Sequence, residues 1–276
     1  MPTQAEKAER FLALHERDDV FVIPNPWDAA SARVLGNLGF EALATTSSGF
    51  ATQIGERDGA RAVDRAAVLE NCRKICAATD LPVNGDLENL YADAPDAAAE
   101  TIGLAAQAGL VGCSIEDYSS DPAHGIYDFT LAVERVQAAV EAARALPFPF
   151  VLTARAENLI RNVDDLDDTI RRLQAFEKAG ADVLYAPGIA DVQMLRTVLA
   201  SIRKPFNLLI GSANAAMSVA DARAAGVRRI SVGGALARAA ATGFVNAARE
   251  IAQHGTFRYG ENLAGREEMQ GFLKPS

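Results

Sequence analysis

Residues 181–234 read ADVLYAPGIADVQMLRTVLASIRKPFNLLIGSANAAMSVADARAAGVRRISVGG, and β-rich apolar runs begin in it at residues 183, 206 and 229, evenly spaced by 23. Helical patterns over Asp191–Ile202 and Val219–Ala225 fill the gaps, so the stretch repeats one minimal strand–helix unit. The alternation continues upstream. Runs at Val20–Pro24, Ala42–Ser47, Pro82–Glu88, Gly112–Glu116 and Phe150–Ala154 alternate with helical patterns at Asp28–Leu38, Val63–Ala78, Pro95–Ala108, Thr130–Leu146 and Asp164–Ala179. Ala235–Gln253 ends the series, and Gly39, Gly109, Gly180 and Gly226 stand where left-handed helix caps belong. Eight such pairs predict an α/β fold, a (β/α)8 TIM-like barrel, which needs ~250 residues. An open doubly wound sheet is disfavoured, because no strand runs into a glycine fingerprint that opens a helix. The reading is one domain over residues 1–276, with the barrel at 20–253 and an extension at 254–276. Thr3–Glu16 is expected to cover the barrel floor, and the tail Phe257–Ser276 to pack on a neighbour.

The composition excludes several partners. The 276 residues are 49% hydrophobic and 23% charged, as in an ordinary globular protein, with a formal charge of −9. Nucleic acid and anionic membranes demand clustered positive charge, so neither is expected. No apolar run reaches the ~18 residues of a membrane span, and the N-terminus lacks the order of a signal peptide. Cys72, Cys76 and Cys113 read as buried small hydrophobes and fit a reducing cytoplasm.

In a barrel of this kind chemistry sits at the C-terminal strand ends. Strand three ends in Asp86 and Glu88, strand four in Glu116 and Asp117, strand five in Arg155 and Glu157, and Asp58 follows strand two. One acid at a strand end can simply be solvated or cap a helix. Four acids and an arginine at one mouth call for a hard divalent cation: Mg2+ held directly by Asp86, its waters by Asp58, Glu88 and Glu116. Arg155 offers a planar fork to a carboxylate or phosphate. Thr46, Ser47, Ser48 and Gly49 follow strand two, where their hydroxyls and amides can meet an anionic substrate or simply form a loop.

The segments PNPWDAASARVLGNLGFEALATTSSGFA (24–51), PVNGDLEN (82–89), GCSIED (112–117) and LTARAEN (152–158) occur in an order and spacing that resembles the isocitrate lyase/phosphoenolpyruvate mutase superfamily. The resemblance spans residues 21–249. It implies a barrel whose C-terminal helix is swapped between subunits, usually within a homotetramer. It also implies Mg2+ (or Mn2+) and a 2-oxo acid whose carboxylate and neighbouring oxygen chelate the metal. By position it implies Asp86 as direct ligand, Glu88, Glu116 and Asp58 around it, Arg155 as the substrate-orienting arginine and Glu116 as a catalytic acid. Thr46, Ser47, Ser48 and Gly49 fall on the segment that holds the substrate carboxylate.

Two departures narrow the expectation. The isocitrate and methylisocitrate lyases carry Lys-Lys/Arg-Cys-Gly-His on the lid after strand four, where this chain reads DYSSDPAHGIYDF (117–129). Strand six ends in Tyr185-Ala-Pro-Gly, without that lyase group's glutamate or the mutase's histidine. His124 and Tyr185 remain as weak proton-transfer candidates, Asn207 is ambiguous, and His15 and His254 look structural. The expected function is a Mg2+-dependent carbon–carbon lyase acting on a 2-hydroxy or 2-oxo acid through an enolate, with residues 118–130 as its lid. The alternatives are an oxaloacetate hydrolase or decarboxylase, phosphonate mutase chemistry, or a noncatalytic 2-oxo acid binder.

Overall fold

Aspartates, serines and threonines ahead of the helical runs, and glycines behind them, punctuate the chain into helices and short strands. The computed structural model describes residues 2–59, 63–119, 121 and 124–274. The strands are β1 (Phe21–Ile23), β2 (Leu43–Ala44), β3 (Val83–Asp86), β4 (Gly112–Glu116), β5 (Val151–Arg155), β6 (Val183–Tyr185), β7 (Phe206–Leu209) and β8 (Arg229–Ser231). The helices are α1 (Gln4–Glu16), α2 (Ala29–Asn37), α3 (Ser47–Gln53), α4 (Arg65–Ala78), α5 (Pro95–Gln107), α6 (Phe129–Arg144), α7 (Leu166–Ala179), α8 (Val192–Ser201), α9 (Val219–Ala225), α10 (Ala235–His254) and α11 (Arg266–Phe272). Gly180 and Gly226 cap α7 and α9 at φ 102° and 96°, a left-handed conformation that costs glycine little.

All strand pairs are parallel, in the order β1-β8-β7-β6-β5-β4-β3-β2. The seam between β1 and β2 is bridged by Ala44 N–H donating to Pro24 O at 3.1 Å. Asn25, just past β1, reinforces it: Nδ2 donates to Thr45 O at 3.0 Å, while Oδ1 accepts from Val232 and Gly233 N–H at 3.0 and 2.9 Å. One buried amide thus ties β1 to both neighbours, giving a nearly closed (β/α)8 barrel.

Two apolar cores result. The larger, including Ile75, Ile102, Leu110 and Phe176, fills the space between strands and helices. The smaller plugs the barrel floor, where Phe11 and Ala8 of α1 pack against Phe21, Ile23, Val151 and Val183. Lys7 Nζ pins α1 to Thr79 O at 2.7 Å. An apolar plug therefore closes the floor, leaving the opposite end for chemistry.

Two expectations need correction. Thr46–Phe50 is no strand end or loop: Thr46 caps α3, its Oγ1 accepting from Gly49 N–H at 3.2 Å. Cys72 and Cys113 are buried, but Cys76 is only half-buried. The end of the tail is tied to α2, where Asn37 Nδ2 donates to Phe272 O (2.9 Å) and Arg33 Nη1 to Leu273 O (3.1 Å), while Phe257 and Leu263 stay exposed.

The last barrel helix is anomalous. Of α10 only Ala237 is buried, and its main contacts are α3 and the turn Arg258–Asn262. Phe244 is 74% exposed, and Phe257 and Leu263 are 67% exposed. Among the described residues no helix is long and apolar enough to cross a membrane.

Candidate active site

A cavity of about 320 Å3 opens at the C-terminal strand ends, lined by five carboxyl groups (Asp58, Asp86, Glu88, Glu116, Glu157) and three arginines (Arg155, Arg161, Arg229). Arg155, at the end of β5, organises it. Nη1 lies 2.8 Å from Glu116 Oε1 and 3.1 Å from Asp86 Oδ1, while Nη2 and Nε reach Glu157 Oε1 at 2.8 and 3.0 Å. The Tyr185 ring backs the guanidinium at 4.7 Å, so Tyr185 does enter the site, as a stacking partner.

Three carboxylates on one guanidinium are in excess. Burial, with Glu157, Asp86 and Glu88 nearby, pushes the Glu116 carboxyl well above its ordinary range against the pull of Arg155. Glu116 therefore ionises less readily than an ordinary glutamate. Burial also pushes the Tyr185 phenol up to about 12.

Asp86 ends β3 with its side chain 19% exposed. Its Oδ2 accepts from both the N–H and the hydroxyl of Ser47 at 2.9 Å, and Ser114 Oγ lies 3.4 Å from Oδ1. Ser47 is thus a partner of Asp86, which sequence reasoning had assigned to substrate. Thr46 Oγ1 and Gly49 N–H pair with each other in the α3 cap. A side chain at Gly49 would meet Thr46 Cγ2 at 2.5 Å and Ala237 Cβ at 3.2 Å, so Gly49 permits the approach of α10. Thr46, Ser47 and Ser48 all line the cavity, and of these the Ser48 hydroxyl makes no hydrogen bond among the described residues. Asp58 is exposed at the rim.

Glu88 lies on a strained loop. Glu88, Leu90 and Tyr91 have φ of 48°, 58° and 58°, a left-handed region costing a non-glycine residue roughly 1–2 kcal/mol. Arg135 of α6 compensates from behind, donating to the carbonyls of Asn89, Ala92 (2.7 Å), Asp93 (3.0 Å) and Glu116 (3.1 Å). One buried guanidinium therefore holds the backbone behind two acids of the cavity.

Sequence reasoning missed Glu157 as a site residue, and Arg161 altogether. Glu157 is fully buried; Arg161 Nη2 sits 3.2 Å from its Oε2 and 3.7 Å from Glu116 Oε2. Arg161 also stacks 3.8 Å from the Tyr118 ring, which lines the cavity. The signal was the spacing Arg155-x-Glu157-x-x-x-Arg161, in which the last two stand one helical turn apart. Of the expected lid, residues 120, 122 and 123 lie outside the described residues; the rest is braced by the Tyr118–Ile126 bridge. His124 is no part of the cavity lining: its side chain is 70% exposed and pairs with Asp121 at 3.2 Å. His254 is exposed on α10, and Asn207 holds Ser231 Oγ at 2.9 Å.

Among the described residues no three acids, histidines or cysteines close into a preformed metal cage. The donor set nonetheless fits a hard cation that keeps its waters: all oxygen, carboxyls outnumbering arginines, and Asp86 partly open to the cavity. Since both Asp86 oxygens already accept contacts, a cation there must displace one of those donors.

The family model for phosphoenolpyruvate phosphomutase matches residues 11–252. The crystal structure of a candidate lyase/mutase from Burkholderia cenocepacia J2315 superposes with a TM-score of 0.93 at 50% identity, covering 97% of this chain and 95% of that one. That of 2,3-dimethylmalate lyase, a PEP mutase/isocitrate lyase superfamily member, gives 0.86 at 26% identity over 99% and 96% of the two chains. Oxaloacetate decarboxylase 2 of Pseudomonas fluorescens (strain Pf0-1) is 29% identical over 210 residues, 75% of this chain and 71% of that protein. The wider set of relatives includes 2-methylisocitrate lyase, and the structural neighbours include oxaloacetate acetylhydrolase and a phosphonopyruvate hydrolase complexed with oxalate and Mg2+.

Proposed function

Because the chain belongs to the phosphoenolpyruvate mutase family of enzymes, within the superfamily shared with isocitrate lyase, we propose that it is a carbon–carbon lyase acting on a small 2-hydroxy or 2-oxo acid. The observation that carries the reading is Arg155 in contact with Asp86, Glu116 and Glu157 at the barrel mouth. Mg2+, or Mn2+ in its place, would be held by Asp86 with Glu88, Glu116 and Asp58 around it, and would supply Lewis-acid stabilisation of the developing negative charge. Arg155 orients the substrate carboxylate and stabilises an enolate oxygen with its fork. Glu116, buried and reluctant to ionise, holds the proton that the departing fragment gains or gives. Ser48 donates its hydroxyl to the substrate carboxylate, and Tyr118 with Arg161 limits water at the rim. A panel of 2-hydroxy and 2-oxo diacids with Mg2+, assayed for release of pyruvate, glyoxylate or another oxo acid, tests this; no turnover on any member overturns it.

One observation favours oxaloacetate decarboxylation or hydrolysis as the second reading. No cysteine lines the cavity among the described residues, and Cys72 and Cys113 are buried elsewhere. Decarboxylation itself needs no proton donor to the departing CO2. Carbon dioxide release from oxaloacetate without cleavage of the hydroxy diacids would select that branch.

We read residues 1–276 as one unit working in the cytoplasm, in keeping with three free cysteines, and assembled as a homotetramer. The exposed apolar side chains of α10 support assembly, since a helix that leaves its own barrel uncovered needs a second copy to bury Phe244. Phe244→Asp is expected to lower the assembly to a smaller species in light scattering after gel filtration, without loss of helical circular dichroism. An unchanged mass would remove α10 from the interface.

A further inference from the structure

The arginine that opens β8 is a buried cation with no anionic partner among the described residues. Arg229 is 3% exposed, and its side chain spans the barrel interior. Nε donates to Asn207 Oδ1 on β7 at 2.7 Å and Nη2 to Thr153 Oγ1 on β5 at 3.0 Å; Nη1 lies 3.3 Å from His15 Nε2 of α1. None of these partners carries charge. His15 sits between the Phe11 and Phe21 rings, and burial beside Arg229 pushes its pKa down to about 3, so it accepts as a neutral imidazole.

The other buried arginines are compensated. Arg155 has three carboxylates, Arg172 has Asp117 and Asp168, and Arg135 has four carbonyls and the Tyr127 ring at 4.2 Å. Arg229 uses three of a guanidinium's five N–H groups, and no carboxylate lies within ion-pairing distance among the described residues. Burial lowers its pKa to about 9, and the only opposing influence is the Tyr185 phenol, itself reluctant to ionise. An isolated buried charge is costly unless something pairs with it. Arg229 also lines the deep end of the cavity, with Ser231, Asn207, Ser114 and Asn84, so a solute can reach it from the mouth. Asn84 adds a second unmet demand: it is buried and its Oδ1 has no partner.

We propose that Arg229 anchors a small monoanion, a halide or a single carboxylate group, at the base of the barrel cavity beneath the Arg155 cluster. The occupant accepts the spare N–H groups of the guanidinium, and a water beside it can donate to Asn84 Oδ1. The position shares its cavity with the Arg155 cluster but needs no metal and no turnover to be occupied.

Thermal unfolding of the full chain in sodium bromide, sodium formate and sodium gluconate, at equal ionic strength without divalent cations, tests the proposal. Gluconate is too bulky for the position and serves as the ionic control. Bromide, formate or both should raise Tm saturably by about 2–4 °C over gluconate, and Arg229→Met should erase the difference. Stabilisation by bromide alone identifies a halide site; stabilisation by formate identifies a carboxylate site. Should Arg229→Met fail to fold, an anomalous bromine or defined formate density at the guanidinium in wild-type crystals carries the same weight. Curves that superpose in all three salts overturn the proposal, as does an increment that survives in the variant or wild-type density without an anion at Arg229.

Discussion

Asp86→Asn is expected to lower kcat/KM by about three orders of magnitude or more while leaving the fold intact. The amide has the same shape as the carboxylate, and its oxygen can still accept from Ser47 N–H and Oγ, now at 2.9 Å. Arg155 keeps Glu116 and Glu157, so no charge is left buried alone. What disappears is one carboxyl oxygen of a partly exposed, cavity-lining acid, and with it a ligand suited to a hard cation. Three decades correspond to about 4 kcal/mol, within the several kcal/mol that Lewis-acid stabilisation supplies. Two measurements separate the roles: turnover on the best diacid, and Mn2+ binding followed by electron spin resonance. Both should collapse while the unfolding midpoint moves little. A variant that keeps Mn2+ affinity and turnover within tenfold would remove Asp86 from the metal site.

The barrel was legible because its signals are local and repeated. Short β-rich apolar runs, glycines behind the helices and a 23-residue interval all survive into β6, β7, β8 and the caps at Gly180 and Gly226. Asp86, Glu116 and Arg155 were legible for a related reason, since a strand end fixes where its last side chain points. The remainder depended on contacts that no local pattern encodes. Thr46–Gln53 has weak helix propensity, being rich in Thr, Ser and Gly, and forms α3 where Gly49 meets Ala237 of α10. The left-handed residues Glu88, Leu90 and Tyr91 are not glycines; their conformation is sustained by Arg135, which lies 44 or more positions away. Arg229 carries no such signal, because it begins its strand instead of ending it. A residue there ordinarily packs in the floor, and only the side chain's course to Asn207 and Thr153 reveals its access to the cavity.

Arg155→Met is the change with the largest expected effect on the apo protein. The side chain is only 12% exposed and contacts Asp86, Glu116 and Glu157 together. Removing one partner of a buried ion pair costs about 3–5 kcal/mol, because the other charge remains. Here three carboxyls lose their shared cation; Glu116 can take up a proton, which keeps the cost within that range. At about 2–4 °C per kcal/mol for a chain of this size, Tm should fall by roughly 6–20 °C. The informative arm adds Mg2+. If the acids around Arg155 are the cation-binding group, removing the guanidinium makes them bind a divalent ion more strongly, so Mg2+ should raise Tm more in Arg155→Met than in wild type. Turnover should not return, because a cation at the acids replaces the charge but not the fork that orients the substrate. Arg155→Lys separates the two contributions further: a retained point charge should recover most of the stability and little of the activity. Equal Mg2+ increments in wild type and Arg155→Met would mean that the acids tied to Arg155 serve the arginine alone, and that any metal sits elsewhere at the mouth.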